Sequence, residues 1–248
     1  FIVYNGEIYN FNKLKKELHS FNKDWRTNSD TEVVLYSYLK WGTKCLNKFE
    51  GMFSFAIWDN KEKTIFAARD RVGVKPFYYA SNNYSFMFSS RPQAILKLND
   101  RLSNSYSENA INIYLSAGYV PAPYSIYSNI RQLPAGSYIY WKNNKLKIVN
   151  WWNQNSFYVD KSSNIKSLNH YSDQLESLLL DSVKKRLVSD VPVGVFLSGG
   201  IDSSLIAAFV KKIKGEGVKS FSIGFNDVQY DESIYSSKVA KYLGIKNE

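Results

Sequence analysis

Val195-Phe196-Leu197-Ser198-Gly199-Gly200-Ile201-Asp202-Ser203-Ser204 runs from an apolar strand through two glycines into the start of a helix. Glycines let a backbone approach an anion closely, and the first N–H groups of the following helix then point at it. Ser198, Ser203 and Ser204 add hydroxyl donors, and Asp202 offers a carboxylate to a magnesium ion bound to phosphates. The Lys of the G-x-x-x-x-G-K-[ST] loop is absent, so γ-phosphoryl transfer of that kind is not expected. A turn followed by a helix cap would explain one glycine and one hydroxyl. It leaves the rest of Ser-Gly-Gly-x-Asp-Ser-Ser unexplained, and a nucleotide phosphate site is the fuller reading.

Around this loop the chain alternates. Tyr171, Leu175, Leu178, Leu179, Val183 and Leu187 recur at helical spacing and predict a long amphipathic helix. A strand over residues 193–197, a helix over 202–212, a strand over 218–223 and a helix over 232–243 follow. Such alternation predicts an α/β fold with a doubly wound parallel sheet. In such sheets ligands lie beyond the carboxyl ends of the strands, which would put Ile223 and Gly224 against a nucleotide. Ordinary strand termination explains those two residues equally well.

Upstream, the chain reads mainly as strands and hairpins. Strands are predicted over residues 52–59 and 64–69, turning at Asn60-Lys61-Glu62-Lys63; over 75–80 and 84–89, turning at Ser81-Asn82-Asn83; and over 136–141 and 145–149, turning at Asn143-Asn144. Phe53, Phe55 and Ile57 face one way, and Met52, Ala56 and Trp58 the other. A strand apolar on both faces is covered on both, so the upstream half is an α+β layered sandwich. Short helices are expected over residues 11–18, 30–39 and 108–117. The polar stretch after residue 153 divides the chain into residues 1–155, a linker over 156–170, and residues 171–248.

Composition narrows the function classes. Of 248 residues 44% are apolar and 16% aromatic, enough for a packed core, so intrinsic disorder is excluded. One cysteine, Cys45, excludes a disulfide framework and a cysteine-based zinc site. Two histidines, His19 and His170, exclude a multi-histidine metal centre. No apolar run approaches the ~20 residues of a membrane helix, so a cytoplasmic protein is expected. Thirty-two basic against 22 acidic residues give a net charge of +10. The lysines nevertheless fall in short clusters on polar helix faces, and no nucleic-acid partner is expected. A non-catalytic basic binding module is the alternative that this charge leaves open. The chain starts inside the strand-like run Phe1-Ile2-Val3-Tyr4 and stops at Glu248 just after a predicted helix. It therefore reads as a fragment, cut within one domain at the front and within another at the back.

Two further stretches have plain readings by themselves. Asn5-Gly6 between apolar runs is a strong hairpin signal. Ser29-Asp30-Thr31-Glu32 is a capping box, with Ser29 as N-cap and Glu32 at the third helical position. Taken in order, however, Asn-Gly-Glu-Ile-Tyr-Asn from Asn5, Ser-Asp-Thr-Glu-Val from Ser29, Glu50-Gly51-Met52-Phe53-Ser54-Phe55-Ala56, Arg69-Asp70-Arg71-x-Gly73-x-Lys75-Pro76-x-Tyr78-Tyr79, Tyr119-Val120-Pro121-Ala122-Pro123, Leu133-Pro134-Ala135-Gly136 and the Ser-Gly-Gly-x-Asp-Ser-Ser loop resemble the glutamine-hydrolysing asparagine synthetases over essentially the whole chain.

The resemblance implies an incomplete glutaminase domain of the N-terminal-nucleophile hydrolase type, followed by an incomplete synthetase domain of the ATP pyrophosphatase type. It implies glutamine, aspartate and ATP as substrates, Mg2+ as cofactor, and AMP and pyrophosphate as products; it is compatible with a homodimer. Carried over by position, Asn5 and Gly6 match an oxyanion hole, Asn5, Gly6, Glu7 and Asp30 match glutamine contacts, and Phe196, Ser198, Gly199, Gly200, Asp202, Ser203 and Ile223 match ATP contacts. A relative that amidates another carboxylate, in surface-polysaccharide or β-lactam-type biosynthesis, would share all of these. The family's nucleophile, a cysteine directly after the initiator Met, has no counterpart here, and Cys45 reads as a packed small apolar residue. That thiol is expected about 65–75 residues upstream of Phe1, and the fragment itself is expected to be inactive.

Overall fold

The computed structural model describes residues 1–248 apart from 22–23, 83, 99–104, 158–165, 190, 228 and 230. The backbone divides into two units, Phe1–Val159 and Asp160–Glu248. The first contains β1 (Ile2–Ile8), α1 (Phe11–Leu18), α2 (Asp30–Trp41), β2 (Gly51–Asp59), β3 (Thr64–Arg69), β4 (Tyr78–Ser81), β5 (Phe86–Ser89), α3 (Pro92–Leu98), α4 (Glu108–Ala117), β6 (Arg131–Gln132), β7 (Ser137–Lys142) and β8 (Lys145–Asn150). The second contains α5 (Leu168–Arg186), β9 (Val195–Phe196), α6 (Ile201–Lys214), β10 (Lys219–Phe221), α7 (Ser233–Leu243) and β11 (Lys246–Asn247). Of the expected linker over 156–170, residues 158–165 lie outside the described residues, a 3-10 turn over Gln154–Phe157 overlaps its start, and α5 begins at Leu168, within its last three residues.

Alternation on β2 dictates the layers of the first unit. Phe53, Phe55 and Ile57 enter a core with Leu14 and Leu18 of α1 and Val33 and Val34 of α2. Ala56 enters a second core with Phe77, Tyr79, Leu133 and Ile139. One face of the antiparallel sheet β1-β2-β3-β7-β8 is thus helix-covered, and the other packs on residues of the small antiparallel sheet β5-β4-β6. The predicted layered sandwich is what forms. Asn143 and Asn144 both take positive φ, 49° and 60°, giving the two-residue turn whose twist suits a β7–β8 hairpin. The turn expected at Ser81-Asn82-Asn83 also joins two strands, with Asn83 outside the described residues.

Two buried, oppositely charged neighbours tie these layers at one end through backbone groups. Asp70, 1% exposed, accepts from the backbone N–H groups of Phe53, Val72, Val74 and Lys75 at 2.9–3.2 Å. Arg69 donates to the carbonyls of Lys75, Leu133 and Gly73 at 2.6–2.7 Å. A buried charge persists only when so compensated.

The local turn signal at Asn5-Gly6 is overridden, and two expectations for the second unit are corrected. Asn5-Gly6 makes no turn: β1 runs straight through both residues, paired with β2 from Ile2↔Ile57 to Ile8↔Gly51. A Cβ at Gly6 would lie 2.3 Å from the Met52 carbonyl oxygen, so this glycine serves close strand approach rather than reversal. The second unit has the predicted parallel sheet, ordered β11-β10-β9, but among the described residues it is wound to one side only. Strand order advances steadily in one direction, and right-handed crossovers then lay every connecting helix on the same face. Val183 and Leu187 at the end of α5, Ala207 and Val210 of α6 and Ala240 of α7 accordingly share one core with Val195 and Leu197. Phe196, the next residue of β9, points the opposite way and is 80% exposed. The chain also ends on a strand, β11, rather than just after a helix; Gly244 at φ 62° makes the bend from α7.

The basic clusters sit in the last turns of α1, α5 and α6, where cations complement the helix dipole. Among the described residues, no helix is long and apolar enough to cross a membrane.

Candidate functional site

The first unit's candidate site lies along the free edge of β1. Tyr9 N–H donates to the Glu50 carbonyl and Trp58 N–H to the Phe1 carbonyl, both at 2.8 Å. In an antiparallel ladder this parity means that odd-numbered residues of β1 bond to β2. The N–H groups of Tyr4, Gly6 and Ile8 therefore point away from β2, and β1 is the last strand of its sheet.

Asp30 closes on that edge. Its Oδ2 accepts from Ile8 N–H at 2.8 Å and from the Tyr4 hydroxyl at 2.6 Å. Burial, followed by the bond to Asp30, pushes the Tyr4 phenol well above its ordinary pKa, so it stays a donor. Oδ1 keeps one long contact, 3.5 Å from the Ser29 hydroxyl. Asp30 also opens α2, where Ser29 is the N-cap, accepting from Thr31 N–H at 3.2 Å. The expected capping box is only half formed: Glu32 accepts from Arg26 N–H, Thr27 N–H and the Thr27 hydroxyl instead of from Ser29. Two residues of strand separate Gly6 N–H from Ile8 N–H, about 6.8 Å. Asn5, on the opposite face of β1 from Tyr4, lines a cavity of about 410 Å³ with Ser54, Phe77 and Phe88. Glu7 shares the Asn5 face and is exposed. Asn5, Gly6 and Asp30 are thus brought to one stretch of strand edge.

Cys45 is elsewhere in chemistry as well as in sequence. It is fully buried in the helix-side core, and burial pushes its thiol up to about 12.

The second unit's candidate site is the loop between β9 and α6. Ser203 organises it: its hydroxyl contacts the Ser198 hydroxyl at 2.9 Å, accepts from Ser198 N–H at 3.3 Å and donates to the Gly200 carbonyl at 3.2 Å. Gly199 takes φ 84°, and a Cβ there would lie 2.6 Å from Cβ of Tyr235, so only glycine fits against α7. Helices α2, α4 and α5 are each capped by a serine side chain, whereas α6 starts at Gly200 with no side-chain cap. Its first-turn N–H groups are left to a ligand or to solvent.

Phe196, Ser198, Ser203 and Ile223 line one cavity of about 380 Å³, within the usual range of small-molecule sites. Gly199 and Gly200 form the turn beside it, and Asp202 is the second residue of α6. No group of three His, Cys, Asp or Glu side chains among the described residues could hold a metal alone. Asp202 is not among the residues lining that cavity, whereas Glu232 is; one or two carboxylates beside bound phosphates would nonetheless suit magnesium, which completes its shell with phosphate oxygens and water. Sequence reasoning missed Ser222, Glu232 and Ser236, which also line the cavity. The Ser222 hydroxyl donates to the Leu197 carbonyl at 2.7 Å and ties together the ends of β9 and β10.

Residues 1–152 match the glutamine amidotransferase domain model, and residues 174–248 match the asparagine synthase model. The chain belongs to the glutamine amidotransferase domain family. The chain is 39% identical, over 98% of its length, to a putative glutamine-hydrolysing asparagine synthetase 2 of Methanocaldococcus jannaschii, covering 46% of that protein. It is 38% identical, over 84% of its length, to glutamine-hydrolysing asparagine synthetase 3 of Bacillus subtilis, covering 33% of it. The chain therefore spans between a third and a half of these relatives. The glutamine phosphoribosylpyrophosphate amidotransferase of B. subtilis, solved with ADP and GMP, superposes with a TM-score of 0.43 at 16% identity, covering 100% of this chain and 44% of that one.

Proposed function

We propose that this chain supplies the glutamine-binding edge and the ATP loop of a glutamine-hydrolysing asparagine synthetase, with a first unit of the N-terminal-nucleophile hydrolase type and a second of the ATP pyrophosphatase type. The observation that carries the reading is the alignment on β1. Gly6 N–H and the Asp30 carboxylate face the same open edge, one strand repeat apart. An extended glutamine bridges that interval with its side-chain carbonyl at Gly6 and its α-ammonium at Asp30 Oδ1, while Glu7 flanks it. As a thiolate attacks the amide carbon, charge grows on the carbonyl oxygen. Gly6 N–H and the Asn5 amide then donate to it, and such donors act because they are in place beforehand. Cys45 is buried and neutral, so the attacking thiol belongs to residues outside this chain.

In the second unit the β- and γ-phosphates of ATP rest on the first-turn N–H groups of α6 and on the hydroxyls of Ser198 and Ser203. Phe196 and Ile223 offer apolar surface to the base. Asp202 would hold a magnesium ion there, which would supply charge neutralisation to the phosphates. A side-chain carboxylate oxygen of aspartate attacks the α-phosphorus and pyrophosphate leaves. Ammonia from glutamine then displaces AMP from the acyl phosphate, giving asparagine.

The test is product analysis on the full-length gene product with α-labelled ATP, aspartate, and either glutamine or ammonium as nitrogen donor. AMP and asparagine are expected with both donors; ADP would overturn the reading of the loop. Asp30→Ala is expected to raise KM for glutamine at least ten-fold and to leave ammonium-dependent synthesis intact, as loss of uniform substrate binding does. Equal loss with both donors would return Asp30 to a helix-start residue.

A further inference from the structure

We propose that Ser90 is a positioning residue for the oxyanion hole, holding the Asn5 side-chain amide so that one of its two N–H bonds faces the substrate. This rests on the glutaminase reading given above. Asn5 Nδ2 donates to Ser90 Oγ at 3.1 Å across 85 residues of sequence. An amide NH2 group is planar with two donors held about 120° apart. Committing one proton to Ser90 fixes the plane of the group and the direction of the second proton. Without that bond the amide turns about its last side-chain torsion, which is broad and roughly two-fold, and presents its oxygen as readily as its nitrogen. A carbonyl oxygen facing a developing oxyanion would repel it.

Ser90 is suited to the task because its own position is set from both sides. It follows the last residue of β5, which pairs with β4 through Tyr78↔Ser89, and it leads into α3. Ile95 of α3 is fully buried with Ala80 and Ile130, anchoring that helix to the small sheet. Arg91 N–H donates to the Ser89 hydroxyl at 3.1 Å, closing the turn that carries Ser90. Asn5, Ser89, Ser90 and Arg91 line the same cavity, so the bond lies where the β1 face meets the reacting group. A side chain on rigid supports orients its neighbour better than one on a free loop.

Two measurements test this. In the 248-residue chain, the side-chain amide protons of Asn5 are followed by NMR in wild type, Ser90→Ala and Ser90→Thr. One downfield, slowly exchanging proton is expected in wild type and in Ser90→Thr, and its loss in Ser90→Ala. An unchanged Asn5 signal in Ser90→Ala would overturn the proposal, whatever the enzyme does. In the full-length gene product, Ser90→Ala is expected to lower kcat for glutamine hydrolysis about ten-fold, the size of one hydrogen bond, with KM within two-fold. Ammonium-dependent synthesis stays at the wild-type rate, and Ser90→Thr restores hydrolysis. Added to Asn5→Ala, Ser90→Ala should cost nothing more, because the two act as one unit. An equal further loss, or an equal fall with ammonium, would make Ser90 structural and overturn the proposal. Full glutamine hydrolysis in Asn5→Ala would instead overturn the glutaminase reading, leaving the NMR result to judge the Ser90 contact.

Discussion

On the proposed reading the two units meet the same demand, an anion held on backbone N–H groups, with opposite degrees of support. In the first, the groups belong to a strand whose sheet is covered on both faces, and every neighbour is braced: Asp30 by Tyr4 and Ile8, Asn5 by Ser90. In the second, the groups belong to a helix start beside a sheet covered on one face, and the loop is braced mainly by its own serines. The difference follows from burial. The first unit places Phe49, Phe53, Phe55 and Phe66 at or below 1% exposure, while the buried residues of the second mostly retain several per cent. A strand-edge site can borrow rigidity from a finished core, whereas a loop site on a half-covered sheet must generate it locally.

The largest expected effect tests whether the units are separate. Asp70→Ala strands four backbone N–H groups in the first unit and should cost more than about 4 kcal/mol. All six tryptophans lie between residues 25 and 152, so their fluorescence in urea reports that unit alone. A helical far-UV signal from the second unit should outlast the fluorescence transition; its loss at the same urea concentration would break the comparison. Next in size, Asp202→Ala in the full-length gene product should lower AMP formation about 10²–10³-fold while glutamine hydrolysis continues. A wild-type rate would reduce Asp202 to an acidic residue that favours the helix start.

Tyr4→Phe sharpens the claim that the strand-edge site is braced. Losing a donor to a carboxylate should cost about 1.5–3 kcal/mol. The wild-type phenol is held above its ordinary value by burial and by Asp30, so the folded state keeps a proton that the unfolded chain loses near pH ~10. The contribution of Tyr4 is therefore complete below that pH and declines above it. Urea midpoints at about pH 8 and pH 10.5 should fall more steeply in wild type than in Tyr4→Phe; parallel slopes would refute the bracing. The smallest effect separates the two faces of the parallel sheet. Val195→Ala should cost about 2 kcal/mol, whereas Phe196→Ala, one residue on, should stay within about 0.5 kcal/mol. Far-UV melting of both variants decides it, and equal losses would mean that the outer face is covered.

Sequence periodicity was sufficient wherever packing followed it. The bounds of α1, α4 and β3 came from alternation and helical spacing alone, and so did the two faces of β2. The Ser-Gly-Gly-x-Asp-Ser-Ser loop was legible because its backbone demands are local. What escaped were features fixed by partners outside the local motif. Asn5-Gly6 carries a turn signal, yet pairing with β2 across some fifty residues holds it extended. Glu32 fits a capping box until Arg26 and Thr27 offer their N–H groups first. Ser90 has no local signal, since its partner is 85 residues away. The one-sided winding of the second sheet depends on strand order, which alternation alone does not specify.

The open edge of β1 has a consequence for the behaviour of the molecule in concentrated solution. Outward N–H groups on a terminal strand are a template on which another chain can add itself as the next strand, and proteins guard such edges with charge. Asp30 is a guard of this type, since its carboxylate consumes the Ile8 donor and sets a negative charge on the rim. The same side chain that the proposed chemistry needs for substrate thus also opposes self-association, and a variant lacking it should be judged for aggregation before it is judged for turnover.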